Sequence, residues 1–150
     1  MKKSLVLLLV LAATPLMSVP LAAQDNSALR SDLTGVYTVA QAERGHQIYL
    51  NRCQRCHSVA TGGGGGGGGA PAFGGGTFTA DFEGDTLFAI ENRINTSMPA
   101  DEPGSTNRVQ ATDLVAFILS MTRVPAGRTE LPPDGNFLRL IRFEPPKQPN

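Results

Sequence analysis

Residues 53–57 read Cys-Gln-Arg-Cys-His, and the interpretation of the whole chain starts from this stretch. Two cysteines three positions apart, followed directly by a histidine, form the C-x-x-C-H arrangement used for covalent attachment of haem. Near the end of a helix, the two thiols can each add to one vinyl group of a single porphyrin. His57 is then directed at the iron from the same side. Cys53, Cys56 and His57 are therefore the predicted residues for attaching one haem c.

Three other uses of this cysteine pair are weighed against haem attachment. A thioredoxin-like dithiol should follow a strand in a βαβ unit, and no such pattern surrounds Cys53. A zinc site needs four ligands, whereas the chain has two cysteines and one further histidine, His46. A disulfide between Cys53 and Cys56 would close a loop too small to gain much stability. The adjoining histidine favours haem.

The first 23 residues have the pattern of a secretory signal peptide. Met-Lys-Lys is followed by an apolar run of nine residues, Leu5–Ala13, and small residues at 22 and 23 offer a cleavage site. A retained membrane anchor is the alternative, but Pro15 and Pro20 interrupt a stretch that is shorter than the roughly 20 residues a spanning helix needs. We therefore expect a periplasmic or otherwise exported protein with no stable membrane insertion after cleavage.

Composition limits what the exported chain can be. Without residues 1–23 it keeps 127 residues, 11 basic and 13 acidic, and this net charge of −2 makes it a poor nucleic-acid binder. Aromatic residues are only 6% and tryptophan is absent, while glycine (17) and proline (11) are abundant. A single small domain of this kind has few large side chains for its core. We expect a bound group to fill part of the centre.

The clearest predicted helix precedes the cysteine motif and covers Val39 to Asn51. Thr38 and Gln41 have the spacing of a capping box, in which each side chain satisfies a free backbone N–H of the other residue. Gly45 and Tyr49 lie four positions apart on one helix face. A missing side chain beside an aromatic ring suits close packing against another helix.

Two more helices are predicted from apolar residues repeating at three and four positions. One is capped by Asp85 and runs to about Ile94, with a stripe that includes Leu87, Phe88, Ile90, Glu91 and Ile94. The other covers about Gln110 to Met121 and ends before Pro125.

The remaining segments are predicted to be loops. Thr61–Gly76 contains eleven glycines, eight of them consecutive, and is expected to be a mobile loop. Asn95–Pro103 is expected to be a second loop. Residues 125–150 contain six prolines, so we expect a tail that wraps the surface, with little regular structure beyond an extended piece at Phe137–Phe143.

A haem iron needs a sixth ligand or an open position, and Met98 is the preferred candidate. It lies in a loop after a helix, where Pro99 restricts the backbone and helps present the thioether sulfur. Met121 completes an apolar helix stripe, so core packing is its natural role. Met98 could instead be a gap-filling loop residue, and His46 or Met121 are the other possible ligands.

Several stretches between residues 36 and 130 together resemble class I c-type cytochromes. They are Gln41–Gly45 with Tyr49, Cys53–His57, the Pro71 loop, Ser97–Pro99 and Asp113–Leu119. The resemblance implies an all-α, small monohaem fold, with three main helices and long loops around a covalently bound haem. It implies that the first and last helices cross, and that the Pro71 carbonyl accepts a hydrogen bond from the His57 ring.

A narrower likeness is to cytochromes that accompany pyrroloquinoline-quinone dehydrogenases. It rests on Gly35–Thr38, Phe82–Asp85, Pro125–Gly127 and Glu130–Pro132. The chain is thus divided into a signal peptide (1–23), an N-terminal extension (24–37), a cytochrome c domain (38–124) and a Pro-rich tail (125–150).

With His57 and Met98 on both sides of the iron, no position remains for a substrate, so the expected function is single-electron transfer rather than catalysis. The expected donor is a quinoprotein dehydrogenase and the expected acceptor a respiratory oxidase or another cytochrome. One alternative is a haem enzyme or gas sensor with an open or labile sixth position. Another is a structural cytochrome subunit of a dehydrogenase complex.

Overall fold

A computed structural model describes residues 30–59 and 70–146. Within these ranges the chain forms five helices, a 3₁₀ turn and a two-stranded parallel sheet in which Arg30 pairs with Ile141. In chain order they are β1 (Arg30–Ser31), the 3₁₀ turn (Asp32–Thr34), α1 (Val39–Arg52), α2 (Gly76–Phe82), α3 (Leu87–Ser97), α4 (Arg108–Met121), α5 (Gly135–Leu138) and β2 (Ile141–Arg142). The predicted all-α class with three main helices is confirmed. The predicted leader and residues 61–69 of the glycine-rich loop lie outside the described residues.

The centre of the fold is the crossing of α1 and α4, which meet at Gly45. A Cβ atom at Gly45 would lie 2.0 Å from the Asp113 carbonyl oxygen and 2.9 Å from Phe117 Cβ. Tyr49, one turn further along α1, is buried, and its ring centroid lies 5.1 Å from that of Phe117. The predicted close-packing face of the first helix is therefore confirmed.

Only half of the predicted capping box forms at the start of α1. The Thr38 hydroxyl accepts a hydrogen bond from the Gln41 amide nitrogen at 3.1 Å, as predicted. The Gln41 side chain does not return to Thr38. Instead its Nε2 donates to the Leu131 carbonyl at 2.9 Å and its Oε1 accepts from the Leu131 amide at 2.8 Å. Both polar atoms of the buried Gln41 amide thus find their partners in the tail. The local spacing of the sequence does not reveal this contact.

The predicted boundaries of the second helix need correction. Its N-cap is Thr86, not Asp85, and it continues to Ser97, so the following loop begins at Met98 rather than Asn95. The Asp85 carbonyl instead accepts a hydrogen bond from the Phe143 amide at 2.8 Å. The tail therefore occupies the Asp85 carbonyl, which a helix N-cap residue would use to accept the first hydrogen bond of the helix.

The third predicted helix begins two residues earlier than expected. Asn107 caps it and forms a complete capping box with Gln110, at distances of 3.0 and 3.1 Å. The helix α2, by contrast, is not predicted by the sequence, since it starts at the last glycine of a glycine-rich stretch. Its Phe78 is buried in the core.

The tail wraps the surface as expected, but it also contributes buried side chains to the core. Leu131, Leu138, Ile141 and Phe143 are at most 2% exposed and belong to the same hydrophobic core as α3 and α4. The predicted extended piece at Phe137–Phe143 is a short helix followed by β2. A chain with few large side chains in its helices completes its core with the tail.

A network of charged side chains also fastens the tail to both crossing helices. Arg44 on α1 donates from Nε and Nη2 to the Asp113 carboxylate, both at 3.0 Å. It also donates to Glu130 at 2.9 and 2.8 Å. The hydrogen bond from Arg44 lowers the pKa of the Glu130 carboxyl. The guanidinium fork thus joins α1, α4 and the tail at one point.

Asp32 is a buried carboxylate that should make stability depend on pH. Its Oδ2 accepts from the Glu144 amide at 3.2 Å, whereas its Oδ1 has no partner within the described residues. Burial raises the pKa of Asp32 from 3.8 to about 6. Because the folded state holds the proton of Asp32 more tightly, the contribution of Asp32 to the free energy of unfolding should fall as pH rises from 3.8 to about 6 and stay level above it.

The substitution Asp32→Asn should remove the loss of stability that ionisation of Asp32 causes above pH 3.8, while keeping an oxygen acceptor for the Glu144 amide. We expect the variant to be more stable than the natural chain at pH 7 by up to about 3 kcal/mol, and equally stable near pH 4. Urea unfolding at pH 4, 5 and 7 measures the difference. A difference that does not change with pH would show that folding does not raise the pKa of Asp32.

Candidate haem site

A cavity of about 1070 Å³ lies between the end of α1, α2 and the loop after α3. Its walls are mostly apolar side chains from three helices and two loops. The apolar residues that line it include Phe73, Phe78, Phe82, Ile90, Ile94, Leu114 and Ile118. All five predicted site residues, Cys53, Cys56, His57, Pro71 and Met98, line this same cavity.

The cysteine motif is held in a tight turn at the end of α1. The Cys53 amide still donates to the Tyr49 carbonyl at 2.9 Å, and the Cys56 and His57 amides both donate to the Cys53 carbonyl, at 3.1 and 2.9 Å. This turn brings both thiols and the imidazole to one wall. The two cysteines are not bonded to each other. Burial raises the pKa of the Cys53 thiol, although Arg52 and Arg55 act against this.

The His57 ring is fixed on two sides. Its Nδ1 lies 2.8 Å from the Pro71 carbonyl oxygen, and its ring stacks on Phe73 with centroids 4.6 Å apart. A carbonyl oxygen can only accept, so Nδ1 donates this hydrogen bond and Nε2 is the ring nitrogen left for a metal. The Tyr49 hydroxyl donates to the His57 carbonyl at 2.7 Å and fixes the backbone as well.

Met98 lines the cavity from a different chain segment, the loop after α3. It directly follows α3, where its amide donates to the Ile94 carbonyl at 3.2 Å, and its side chain is half-buried. The two other possible ligands weighed from the sequence are not at the cavity. Met121 packs against the hydrophobic core, and His46 stacks on Phe117 with centroids 5.0 Å apart.

The aromatic wall of the cavity was not anticipated from the sequence. Phe73, Phe78 and Phe82 form a chain of ring contacts with centroids 5.5 and 4.9 Å apart. Phe78 and Phe82 are four positions apart on α2, a helical spacing that the preceding glycines obscured. These rings line the same cavity as the cysteine motif, and Phe73 stacks directly on His57.

The residues present fit a haem. The cavity is apolar and offers a free imidazole nitrogen and a thioether, the pair of axial ligands that many c-type cytochromes use. Within the described ranges, no three His, Cys, Asp or Glu side chains cluster closely enough to hold a bare metal ion. The donor atoms therefore suit an iron that brings its own porphyrin nitrogens.

Comparison with known proteins identifies the family of the chain. A family model described as cytochrome C oxidase, cbb3-type, subunit III matches residues 40–118, more than half of the chain. No curated protein and no solved structure gives a significant match. Among the described residues, none of the helices has the length and apolar character needed to cross a bilayer. The chain belongs to the cbb3-type cytochrome c oxidase subunit III family, which is a family of c-type cytochromes.

Proposed function

We propose that this chain binds one haem c through thioether bonds at Cys53 and Cys56, with His57 and Met98 as axial ligands, and carries single electrons. The observation that carries the proposal is that these four side chains line one apolar cavity while Pro71 holds the His57 ring by Nδ1. When bound, the haem supplies one-electron chemistry between ferric and ferrous iron.

The protein's own residues would keep that chemistry to electron transfer. The Pro71 carbonyl and the Phe73 ring hold His57 in one orientation, so its Nε2 stays directed at the cavity. Met98 would close the second side and leave no position for a substrate. The apolar side chains exclude water from the site, and methionine ligation favours a higher reduction potential than a second nitrogen ligand does.

We further propose an exported, periplasmic carrier with redox proteins as its partners. The signal-peptide pattern of residues 1–23 supports export. The likeness to cytochromes of quinoprotein dehydrogenases supports such a dehydrogenase as the donor. The family's description, which refers to a cbb3-type oxidase, supports a respiratory oxidase or its cytochrome as the acceptor. Docking of a carrier to such partners is weak and brief.

Covalent attachment tests the first part of this proposal. The full chain, expressed in a bacterium with periplasmic haem-attachment machinery, should be recovered from the periplasm with one haem that survives denaturing electrophoresis. Cys53→Ala and Cys56→Ala should each reduce the haem retained, because each removes one thioether bond. Met98→Ala is the matched control and should retain haem fully. Natural protein that carries no covalent haem under these conditions would contradict the proposal.

A further inference from the structure

The loop that follows α3, residues 98–106 and here called the Met98 loop, is fastened to the end of α1 by Arg52. This residue ends α1 and directly precedes Cys53. Its Nη1 donates to the Ser105 carbonyl at 3.1 Å, and its Nη2 donates to the Ser105 hydroxyl. The same Nη2 lies 3.4 Å from Glu102 Oε2. One guanidinium therefore holds a backbone carbonyl, a hydroxyl and a carboxylate of the loop.

A second arginine joins the same two segments more loosely. Arg55, inside the cysteine motif, forms an ion pair with Asp101, three residues after Met98. Both side chains of this pair are 59% exposed, whereas the Arg52 side chain is only 26% exposed. Exposed pairs contribute little and are screened by salt, while half-buried, charge-assisted hydrogen bonds are stronger. Arg52 is thus the main attachment and Arg55 the minor one.

The other hydrogen bonds of the Met98 loop do not reach the cysteine motif. Two backbone hydrogen bonds lie within the loop. The Glu102 amide donates to the Pro99 carbonyl at 3.0 Å, and the Ser105 amide donates to the Glu102 carbonyl at 3.3 Å. Asn95, on α3, donates to the Thr106 carbonyl at 2.8 Å. These contacts shape the loop and tie it to α3. In the part of the chain that the structure describes, the polar contacts from the Met98 loop to the cysteine segment come from the two arginines.

We infer that Arg52 is a positioning residue for Met98: it holds the Met98 loop against the end of α1 and so keeps the thioether at the cavity. The Arg55–Asp101 pair adds a smaller, salt-sensitive contribution. This inference rests on the proposed function, in which Met98 is the second axial ligand. Without the Arg52 contacts, the loop opens more often and an external ligand gains access in place of Met98.

The test uses the haem-loaded full chain and imidazole as the external ligand. Binding to the oxidised protein is followed by loss of the sulfur-to-iron charge-transfer band. We expect Arg52→Gln to accelerate imidazole binding about tenfold or more, because it removes the hydrogen bonds that the charged guanidinium donates to Ser105 and Glu102. We expect about a twofold effect for Arg55→Gln, which should disappear in about 1 M sodium chloride. The Arg52→Gln effect should persist there.

Three variants separate positioning from a general effect on charge or stability. Arg128→Gln removes one positive charge from an exposed residue that does not line the cavity, and should leave the imidazole rate unchanged. Arg52→Lys keeps the charge but not the fork of donors, and should restore the rate only in part. Ser105→Ala removes one acceptor and should accelerate binding about twofold. It serves as the test if Arg52→Gln does not fold.

The outcomes distinguish this inference from the proposed function. Equal imidazole rates for Arg52→Gln and Arg128→Gln, or an unchanged rate in Ser105→Ala, would overturn the positioning role, even if urea unfolding showed a loss of stability. The charge-transfer band of the natural protein would then still support Met98 ligation. Absence of that band in the natural protein would instead overturn the proposed ligand, and the inference with it.

Discussion

Replacing Met98 by alanine should leave the haem covalently attached but open one coordination position. The oxidised protein should change from low-spin to high-spin, and the reduced protein should bind carbon monoxide. The physical reason is that the thioether comes from the loop after α3, whereas the attachment residues belong to a different segment, the turn at the end of α1. Optical spectra of both oxidation states, with and without carbon monoxide, measure the change.

The matched control is Met121→Leu, which replaces another methionine by a side chain of similar volume. Met121 packs against the hydrophobic core and does not line the cavity. This variant should keep the low-spin spectrum and lose less than about 1.5 kcal/mol of stability. An unchanged oxidised spectrum in Met98→Ala would show that another group binds the iron.

Replacing Gly45 by alanine should have the largest effect on folding. The new Cβ atom would lie 2.0 Å from the Asp113 carbonyl oxygen, and backbone cannot yield as a flexible side chain does. Helices α1 and α4 would have to separate. We expect a loss of about 3 kcal/mol or more, which outweighs the roughly 1 kcal/mol that alanine gains over glycine within a helix. Urea unfolding and the yield of haem-loaded protein report the loss.

Gly76→Ala provides the comparison. Gly76 begins α2, and a Cβ atom at this position meets no atom within 4 Å. Alanine should therefore be neutral or stabilise by up to about 1 kcal/mol. If both variants unfolded at the same urea concentration, the close approach of α1 and α4 at Gly45 would be wrong.

The parts of the fold that the sequence predicts well depend on local signals. The sequence predicts the start of the first helix correctly because Thr38 is its N-cap. It also predicts the packing face of this helix, because Gly45 marks a close crossing. The stripe of the second helix is also correct, and it includes Glu91, which is buried and accepts a hydrogen bond from Arg108 at 2.9 Å. Capping and periodicity act within one or two turns, so the sequence displays them directly.

The parts that were missed depend on contacts between distant segments. Asp85 and Thr86 can both cap a helix, and the choice between them follows the pairing of Asp85 with Phe143, 58 positions further along. Burial of the tail depends on contacts of its apolar side chains with helices distant in the sequence. Neither effect has a local pattern, and the six prolines of the tail suggested an exposed segment instead.

The candidate site shows the same division. The spacing of Cys53, Cys56 and His57 is local, and the structure places all three at one cavity with Met98 and Pro71. The aromatic wall of α2 and the reach of Arg52 to Ser105 join separate segments. No spacing rule in the sequence predicts such contacts, because the connecting loops set the distances.

The most direct test of the central claim is the optical spectrum of the natural protein after maturation in a periplasm with haem-attachment machinery. Spectra are recorded for the oxidised and reduced forms, and carbon monoxide is then added to the reduced form. We predict a low-spin c-type spectrum with a sulfur-to-iron charge-transfer band and no response to carbon monoxide, the result for a site closed by His57 and Met98. A high-spin spectrum that shifts with carbon monoxide would contradict the account and indicate an open iron suited to a haem enzyme or gas sensor.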